Sequence, residues 1–207
     1  MKKIRIAILG CNFMGSSHAR CYSLIDGVDV VAVADLNEEV AQSVADKFGA
    51  KVYTDAEKLI NECELDAIDI CLPTFLHTKF ALLAMEKKIP YIFIEKPVAL
   101  TREDAATLIE AQKKSGAKIQ IGQVLRFWKE YAYLKEVIDS KKYGNVVNAA
   151  FNRLSPSPTW SKGNWVRNSK LSGGAIVDLH IHDIDFMLYT FGTPKNYECV
   201  KAARGRI

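Results

Sequence analysis

The stretch Ile4-Arg5-Ile6-Ala7-Ile8-Leu9-Gly10-Cys11-Asn12-Phe13-Met14-Gly15 constrains this chain more than any other. Ile4, Ile6, Ala7, Ile8 and Leu9 are apolar and largely β-favouring, the pattern of a parallel strand buried on both faces. A tight turn follows at Gly10, and a helical pattern begins near Met14. Strand, glycine turn and helix start are the context in which G-x-G-x-x-G denotes dinucleotide binding. The turn brings backbone N–H groups and the positive end of a helix up to a pyrophosphate. Asn12 stands where the second glycine usually does. Asparagine tolerates left-handed φ/ψ, so the turn can survive with a side chain to accommodate.

A second apolar run, Val28 to Ala34, ends in Asp35, which follows Gly15 by 20 residues. That is the spacing of an acidic residue that hydrogen-bonds the adenine ribose hydroxyls. The alternative is an aspartate that merely caps a strand after a structural turn. Fingerprint and acid in register favour cofactor binding.

The rest of the first 123 residues repeats the alternation. Helical patterns are expected at Met14–Leu24, Asn37–Phe48, Thr54 or Asp55 to Asn61, Phe75–Lys87 and Arg102–Ser115, and strands at Lys51–Tyr53, Asp66–Leu72, Tyr91–Ile94 and Lys118–Ile121. Such an order gives an α/β fold, a doubly wound parallel sheet over residues 1 to 123. Ligands of such sheets bind beyond the carboxyl ends of the strands. The rule gathers Gly10 to Gly15, Asp35, Leu72-Pro73-Thr74, Glu95-Lys96-Pro97 and Gly122-Gln123 on one rim.

Beyond Gly122 the pattern changes. Lys129 to Lys142 reads as an amphipathic helix, Val146 to Leu154 as a strand and Ser172 to Phe191 as a helix, with a further strand near Tyr197 to Val200. Residues 124–207 are thus expected to form part of a second α+β domain, too few elements to cover both faces of a sheet.

Composition narrows the partners. The net charge is +4, and no basic run is interleaved with aromatics, which argues against nucleic acid. The cysteines are five, odd in number and without a C-x-x-C pair, as in reduced core thiols of a cytoplasmic protein. No run approaches the length of a membrane span, and the apolar start lacks a cleavage site for a signal peptide.

Several residues could do chemistry. Lys96, at the rim, could donate a hydrogen bond to a substrate oxygen and stabilise a developing alkoxide; otherwise it is a solvated loop lysine. Pro97 admits a cis bond that would aim the Lys96 backbone into the cleft. Read as one helix, Gly173 to Asp185 aligns Asp178, His182 and Asp185 in a polar stripe on an apolar element. His182 suits general acid/base work near neutrality and Asp178 could orient it, while a structural His–Asp pair is the bland alternative. Read as a strand, Asp178, His180 and His182 resemble metal ligands, but the length of the apolar pattern favours the helix and no metal. His77 contacts cofactor or caps its turn. Arg126-Phe127-Trp128 with Trp160 and Trp165 line a substrate pocket or simply pack at the junction.

Taken in order, Gly10-x-x-x-Met14-Gly15, Asp35, Pro73-x-x-x-His77, Glu95-Lys96-Pro97, Gly122 with Arg126-Phe127, and Gly173-Gly174-x-x-x-Asp178-x-x-x-His182-x-x-Asp185 closely resemble the glucose–fructose oxidoreductase / inositol dehydrogenase / MocA-like family of NAD(P)-dependent oxidoreductases. The resemblance runs to about Pro194. It implies an NAD(P)-binding Rossmann domain, residues 1–123, followed by an incomplete substrate and oligomerisation domain, residues 124–207. Carried over by position, Lys96 polarises the substrate oxygen, His182 is the general acid/base and Asp178 orients them. The cofactor would lie on Gly10, Asn12, Phe13, Met14, Gly15, Asp35, Leu72, Pro73, Thr74, His77, Glu95, Lys96 and Gln123. Substrate would meet Arg126, Trp165 and Asp185. Asp35 without a neighbouring arginine favours NAD over NADP. The implied reaction moves a hydride between NAD(H) and a secondary alcohol carbon of a sugar or polyol. A complete second domain would imply a homo-oligomer. Family members continue well past Phe191, so a partial member that binds NAD(H) without catalysis is the alternative.

Overall fold

The computed structural model describes residues 3–156, 158, 161–198 and 200. Trp160, Cys199 and the segment from residue 201 onward, which figure in the expectations above, lie outside the described residues.

Three- to seven-residue apolar runs supply the strands β1 (Ile4–Leu9), β2 (Val28–Ala34), β3 (Lys51–Tyr53), β4 (Ala67–Ile70), β5 (Tyr91–Ile94) and β6 (Lys118–Ile121). All pair in parallel, in the order β3-β2-β1-β4-β5-β6. The chain therefore starts in the middle, winds outward through β2 and β3, then returns to the other side of β1 for β4. This reversal between β1 and β4 is the topological switch point at which such sheets take ligands.

The helices α1 (Phe13–Tyr22), α2 (Glu38–Ala45), α3 (Ala56–Glu62), α4 (Thr74–Glu86) and α5 (Arg102–Ser115) cover both faces. Their starts follow from local chemistry. Asn37 Oδ1 accepts from the N–H groups of Glu39 and Val40, Asp55 from Glu57 and Lys58, and Thr101 Oγ1 from Asp104. Gly116, at φ +71, ends α5.

Alternate residues of β1 serve two separate cores. Ala7 and Leu9 join Ile68, Ile70, Ile92 and Ile94 against Leu59, Phe80, Ala84 and Leu108. Ile6 and Ile8 join Val30 and Val33 against Ala19, Ala41 and Val44. In β2 the register slips by one: Ile6 pairs with Val30 but Ala7 with Ala32. Val31 is the extra residue, so the side-chain parity of β2 changes there. Ala34 consequently packs with the Leu9 core, and the next residue, Asp35, turns to the α1 side.

The described chain divides into two compact units, Met1–Gln123 with Leu154–Ile181, and Val124–Arg153 with the residues from His182 onward. In the first, the later segment contributes the short helices α7 (Ser169–Ser172) and α8 (Gly174–Asp178). The second contains α6 (Lys129–Asp139) and α9 (Ile181–Phe191). Within it Phe186 is fully buried, with Tyr131 edge-on at 4.8 Å and Phe151 at 6.4 Å. Arg153 makes two hydrogen bonds to Asp183, of 2.6 and 2.8 Å.

Three expectations are corrected. Residues 146–154 form no strand, and neither do the described residues of 197–200. Among the described residues every strand belongs to the first unit's sheet, so neither segment has a neighbour for its backbone donors and acceptors. The single helix expected from Ser172 to Phe191 is broken at Gly173 and again at Leu179–His180. Gly173 and Gly174 sit at φ +76 and +73, and a Cβ on Gly173 would come within 2.5 Å of Val177. No helix among the described residues is long and apolar enough to cross a membrane.

Candidate active site

At the carboxyl end of β1 the backbone turns sharply at Gly10, φ +85, whose N–H donates to Ala34 O at 2.8 Å. A Cβ there would lie 2.6 Å from Cys71 O, and one on Gly15 would lie 1.8 Å from Gly10 O. Both glycines are therefore demanded by close backbone approach. Asn12 is not left-handed: its φ of −71° and ψ of −153° suit any residue. Position 12 thus needs no glycine for its own backbone conformation. Although Asn12 is the N-cap of α1, its side chain does not cap that helix. The N–H groups of the first turn, Phe13, Met14 and Gly15, are left without a side-chain cap, as an anion at a helix start requires.

The Asn12 side chain turns instead to Asp35. Asp35 Oδ2 accepts from the Cys11 N–H and from Asn12 Nδ2, each at 3.0 Å, and Oδ1 accepts from the Asn37 N–H at 2.9 Å. The acid expected to meet a ribose is held by three donors at the mouth of the glycine turn.

Across the switch point, α4 begins at Thr74 with Pro73 as its N-cap. His77 is 1% exposed, with Nε2 2.7 Å from Leu72 O and Nδ1 2.8 Å from Pro97 O. Burial pushes its pKa down, against the pull of the two carbonyls. Both ring nitrogens thus lie beside protein carbonyls, and the ring ties the loop after β4 to the loop after β5. His77→Ala should lower stability by about 1–3 kcal/mol, the cost of orphaning a buried carbonyl, as read from urea unfolding.

The loop after β5 carries Glu95 and Lys96, joined to Pro97 through a cis peptide. Glu95 is directed inward. Its Oε2 accepts from the Lys96 N–H at 3.1 Å, its Oε1 lies 3.3 Å from His18 Nε2, and a Cβ on Gly122 would collide with that oxygen at 2.7 Å. Lys96 points the other way, donating from Nζ to Asp178 O at 2.8 Å and to Asp178 Oδ1 at 3.3 Å. Two of the residues expected to be catalytic are thus in contact. An ammonium has three N–H donors, so one remains for a third acceptor. Gln123, after β6, keeps Oε1 buried with no hydrogen-bond partner among the described residues, an acceptor that a ligand donor would satisfy.

The polar stripe expected over Asp178, His182 and Asp185 does not exist as one helical face, because Asp178 ends α8 while His182 and Asp185 belong to α9. Asp185 instead holds Arg126, at 2.6 and 2.8 Å, within the second unit. Two of the three residues expected to meet substrate therefore neutralise each other there. Trp165 packs edge-on against Phe75 with ring centroids 6.3 Å apart.

One cluster escaped the sequence reading. Asp69, in the middle of β4, is fully buried. Its Oδ2 lies 2.8 Å from His18 Nδ1 and accepts from the Tyr22 hydroxyl at 2.8 Å, while the Cys71 thiol lies 3.3 Å from Asp69 Oδ1 and from His18 Nδ1. His18 therefore bridges two carboxylates, Asp69 and Glu95. Burial alone would lower its pKa, but hydrogen bonds to Asp69 and Glu95 more than offset this, and it is pushed up to about 10. The Cys71 thiol is pushed well up, chiefly by burial. The signal was present in the sequence: an aspartate inside an otherwise apolar strand must have a partner, and His18 and Tyr22 lie one turn apart on α1.

Residues 4–123 match the profile of the Gfo/Idh/MocA oxidoreductase family's NAD-binding Rossmann fold, and residues 131–206 match that of the family's C-terminal domain. The chain belongs to the Gfo/Idh/MocA family. This Gfo/Idh/MocA protein is 32% identical over 204 residues to inositol 2-dehydrogenase of Salmonella typhimurium, covering 96% of this chain and 57% of that protein. It is 30% identical over 205 residues to glucose-6-phosphate 3-dehydrogenase of Bacillus subtilis, covering 98% of this chain and 57% of that one. The crystal structure of myo-inositol 2-dehydrogenase from Lactobacillus plantarum superposes with a TM-score of 0.76 at 26% identity, covering 91% of this chain and 56% of that structure. The chain thus spans somewhat over half the length of the relatives it matches. As the family's NAD-binding domain, the first 123 residues supply the glycine turn, the acid and the lysine in one rim.

Proposed function

We propose that this chain serves an NAD-dependent oxidoreductase acting on a secondary alcohol of a sugar or polyol, with Lys96, Asp178 and His182 as its catalytic residues. The observation that carries the reading is the Lys96–Asp178 contact at the rim that also presents Asp35 and the uncapped start of α1. The relatives named above support the substrate class.

NAD, when bound, supplies the hydride acceptor. Its pyrophosphate fits the turn Gly10 to Gly15 with Asn12, Phe13 and Met14, its ribose Asp35, and the remainder the rim of Leu72, Pro73, Thr74, Glu95, Lys96 and Gln123. The Lys96 ammonium, with one N–H still to donate, hydrogen-bonds the substrate hydroxyl and stabilises the alkoxide that develops on it. Asp178 holds that ammonium in place through its carbonyl and its carboxylate. His182 takes the hydroxyl proton, since an imidazole can accept it near neutral pH. Arg126, Asp185 and Trp165 are assigned to the substrate side, and a cytoplasmic homo-oligomer is the proposed setting.

Titration of the 207-residue chain with NADH and NADPH, followed by nicotinamide fluorescence, tests the cofactor half. NADH should bind more tightly; failure of both to bind would overturn it. For the chemistry, Lys96→Ala and His182→Ala should lower kcat on the best polyol by about 10²–10⁴-fold. NADH affinity of His182→Ala should stay within a factor of about two, since a general acid–base role acts on the reacting atoms. Equal loss of binding and turnover would contradict these roles, and NADH binding without turnover of any sugar or polyol would favour a non-catalytic binder.

A further inference from the structure

Asn12 has a function that the glycine usual at its position cannot have. Two independent observations single it out. It is an asparagine at a helix N-cap that leaves its own helix uncapped, against the strong preference of that side chain for the first-turn N–H groups. Its amide is instead committed to Asp35 Oδ2, the oxygen that already accepts the Cys11 N–H.

A carboxylate has roughly four acceptor positions. On Asp35, Cys11 N–H and Asn12 Nδ2 fill those of Oδ2, and the Asn37 N–H takes one on Oδ1. About one is left. The adenosine ribose of NADH offers a vicinal diol, two donors that a free carboxylate would accept together. Here one of them must displace the Asn12 amide or go unmatched. The ribose of NADPH carries a phosphate in place of one hydroxyl, has one donor fewer, and loses less to this competition.

Resting on the cofactor reading above, we propose that Asn12 is a specificity-determining residue which weakens this chain's preference for NADH by occupying an Asp35 acceptor that the ribose diol needs. Cofactor choice is then set by the pair Asn12–Asp35, with Asp35 favouring NADH and Asn12 tempering it.

Asn12→Ala keeps the Cβ and removes the amide, and Asn12→Gly removes both. NADH and NADPH dissociation constants of the folded variants, by nicotinamide fluorescence, should show the NADPH/NADH ratio rising about fivefold in Asn12→Ala, nearly all from tighter NADH. Asn12→Gly should show the same rise in ratio, with both cofactors tightened further by easier approach to the turn. In an Asp35→Ala background the substitution at position 12 should leave the ratio unchanged. An unchanged ratio in Asn12→Ala would overturn the proposal, and a fall would mean that Asn12 props Asp35 in place for NADH. Wild-type chain binding neither cofactor would overturn the cofactor reading and this inference with it, whereas tight NADH binding with an unmoved ratio would overturn this inference alone.

Discussion

His18→Ala should lower the unfolding free energy by about 3–5 kcal/mol, the usual consequence of removing one partner of a buried charge network. The ring is the cation between Asp69, fully buried, and Glu95, and its removal leaves two carboxylates in one low-dielectric site. Urea unfolding of the variant measures the loss, and a change under about 1 kcal/mol would contradict the ion network. The same network fixes a pH dependence. His18 titrates at about 10 in the folded chain against 6.5 for the free side chain. Its contribution to stability is therefore complete below pH 6.5 and disappears as pH rises through 10. Other groups titrate in that range, so the measurement is a difference. His18→Gln, which keeps a donor without the charge, should lose less stability on going from pH 7 to about 10.5 than the wild type does.

Gly15→Ala is expected to be the most damaging single methyl in the chain. The new carbon would lie 1.8 Å from Gly10 O and 3.3 Å from Ile8 Cγ2, and the first of these is backbone in the turn itself. Relief requires α1 to move away from β1, which separates the first-turn N–H groups from the turn. NADH affinity should fall by at least about 10²-fold, with a loss of stability of about 1–3 kcal/mol or more from overpacking. Gly49→Ala is the control. Gly49 also has a positive φ, +64°, but its Cβ would meet nothing within 4 Å. That substitution should cost about 1 kcal/mol and leave NADH binding unchanged. Equal effects on NADH binding in the two variants would show that generic strain, not the close approach at Gly15, governs the site.

Much of the Rossmann unit was legible because its elements are set by local signals. The apolar runs of β1 and β5, the caps Asn37, Asp55 and Thr101, and the stop at Gly116 each act within a few residues of where they stand. The rim was legible too, since the alternation of strands and helices dictates where loops such as Glu95-Lys96-Pro97 must emerge. What pattern could not deliver depends on distant partners. The Asp69–His18–Glu95 network joins three elements far apart in sequence. The partners of His77 were not legible, because helix position says nothing of the carbonyls of Leu72 and Pro97 that lie beside its ring. The polar stripe failed for a different reason: hydrophobic periodicity runs smoothly through Gly173–His180, while the helix there is interrupted twice.

The slip at Val31 gives the familiar distance between glycine turn and acid another meaning. What the site needs is a phase, an orientation of Asp35 toward Cys11 and Asn12, and the chain reaches it by an extra residue that interrupts the even beat of β2. Were the same residues paired without that bulge, Asp35 would point toward the Leu9 core, where a carboxylate would be a burden instead of a ligand. Deletion of Val31 removes the bulge but keeps the pairs from Ile6–Val30 to Leu9–Ala34, and with them the facing of Asp35. That variant should therefore still bind NADH in a titration, and lost binding would mean that the bulge itself shapes the turn. Motif spacing in such folds is better understood as a count of paired residues than as a length.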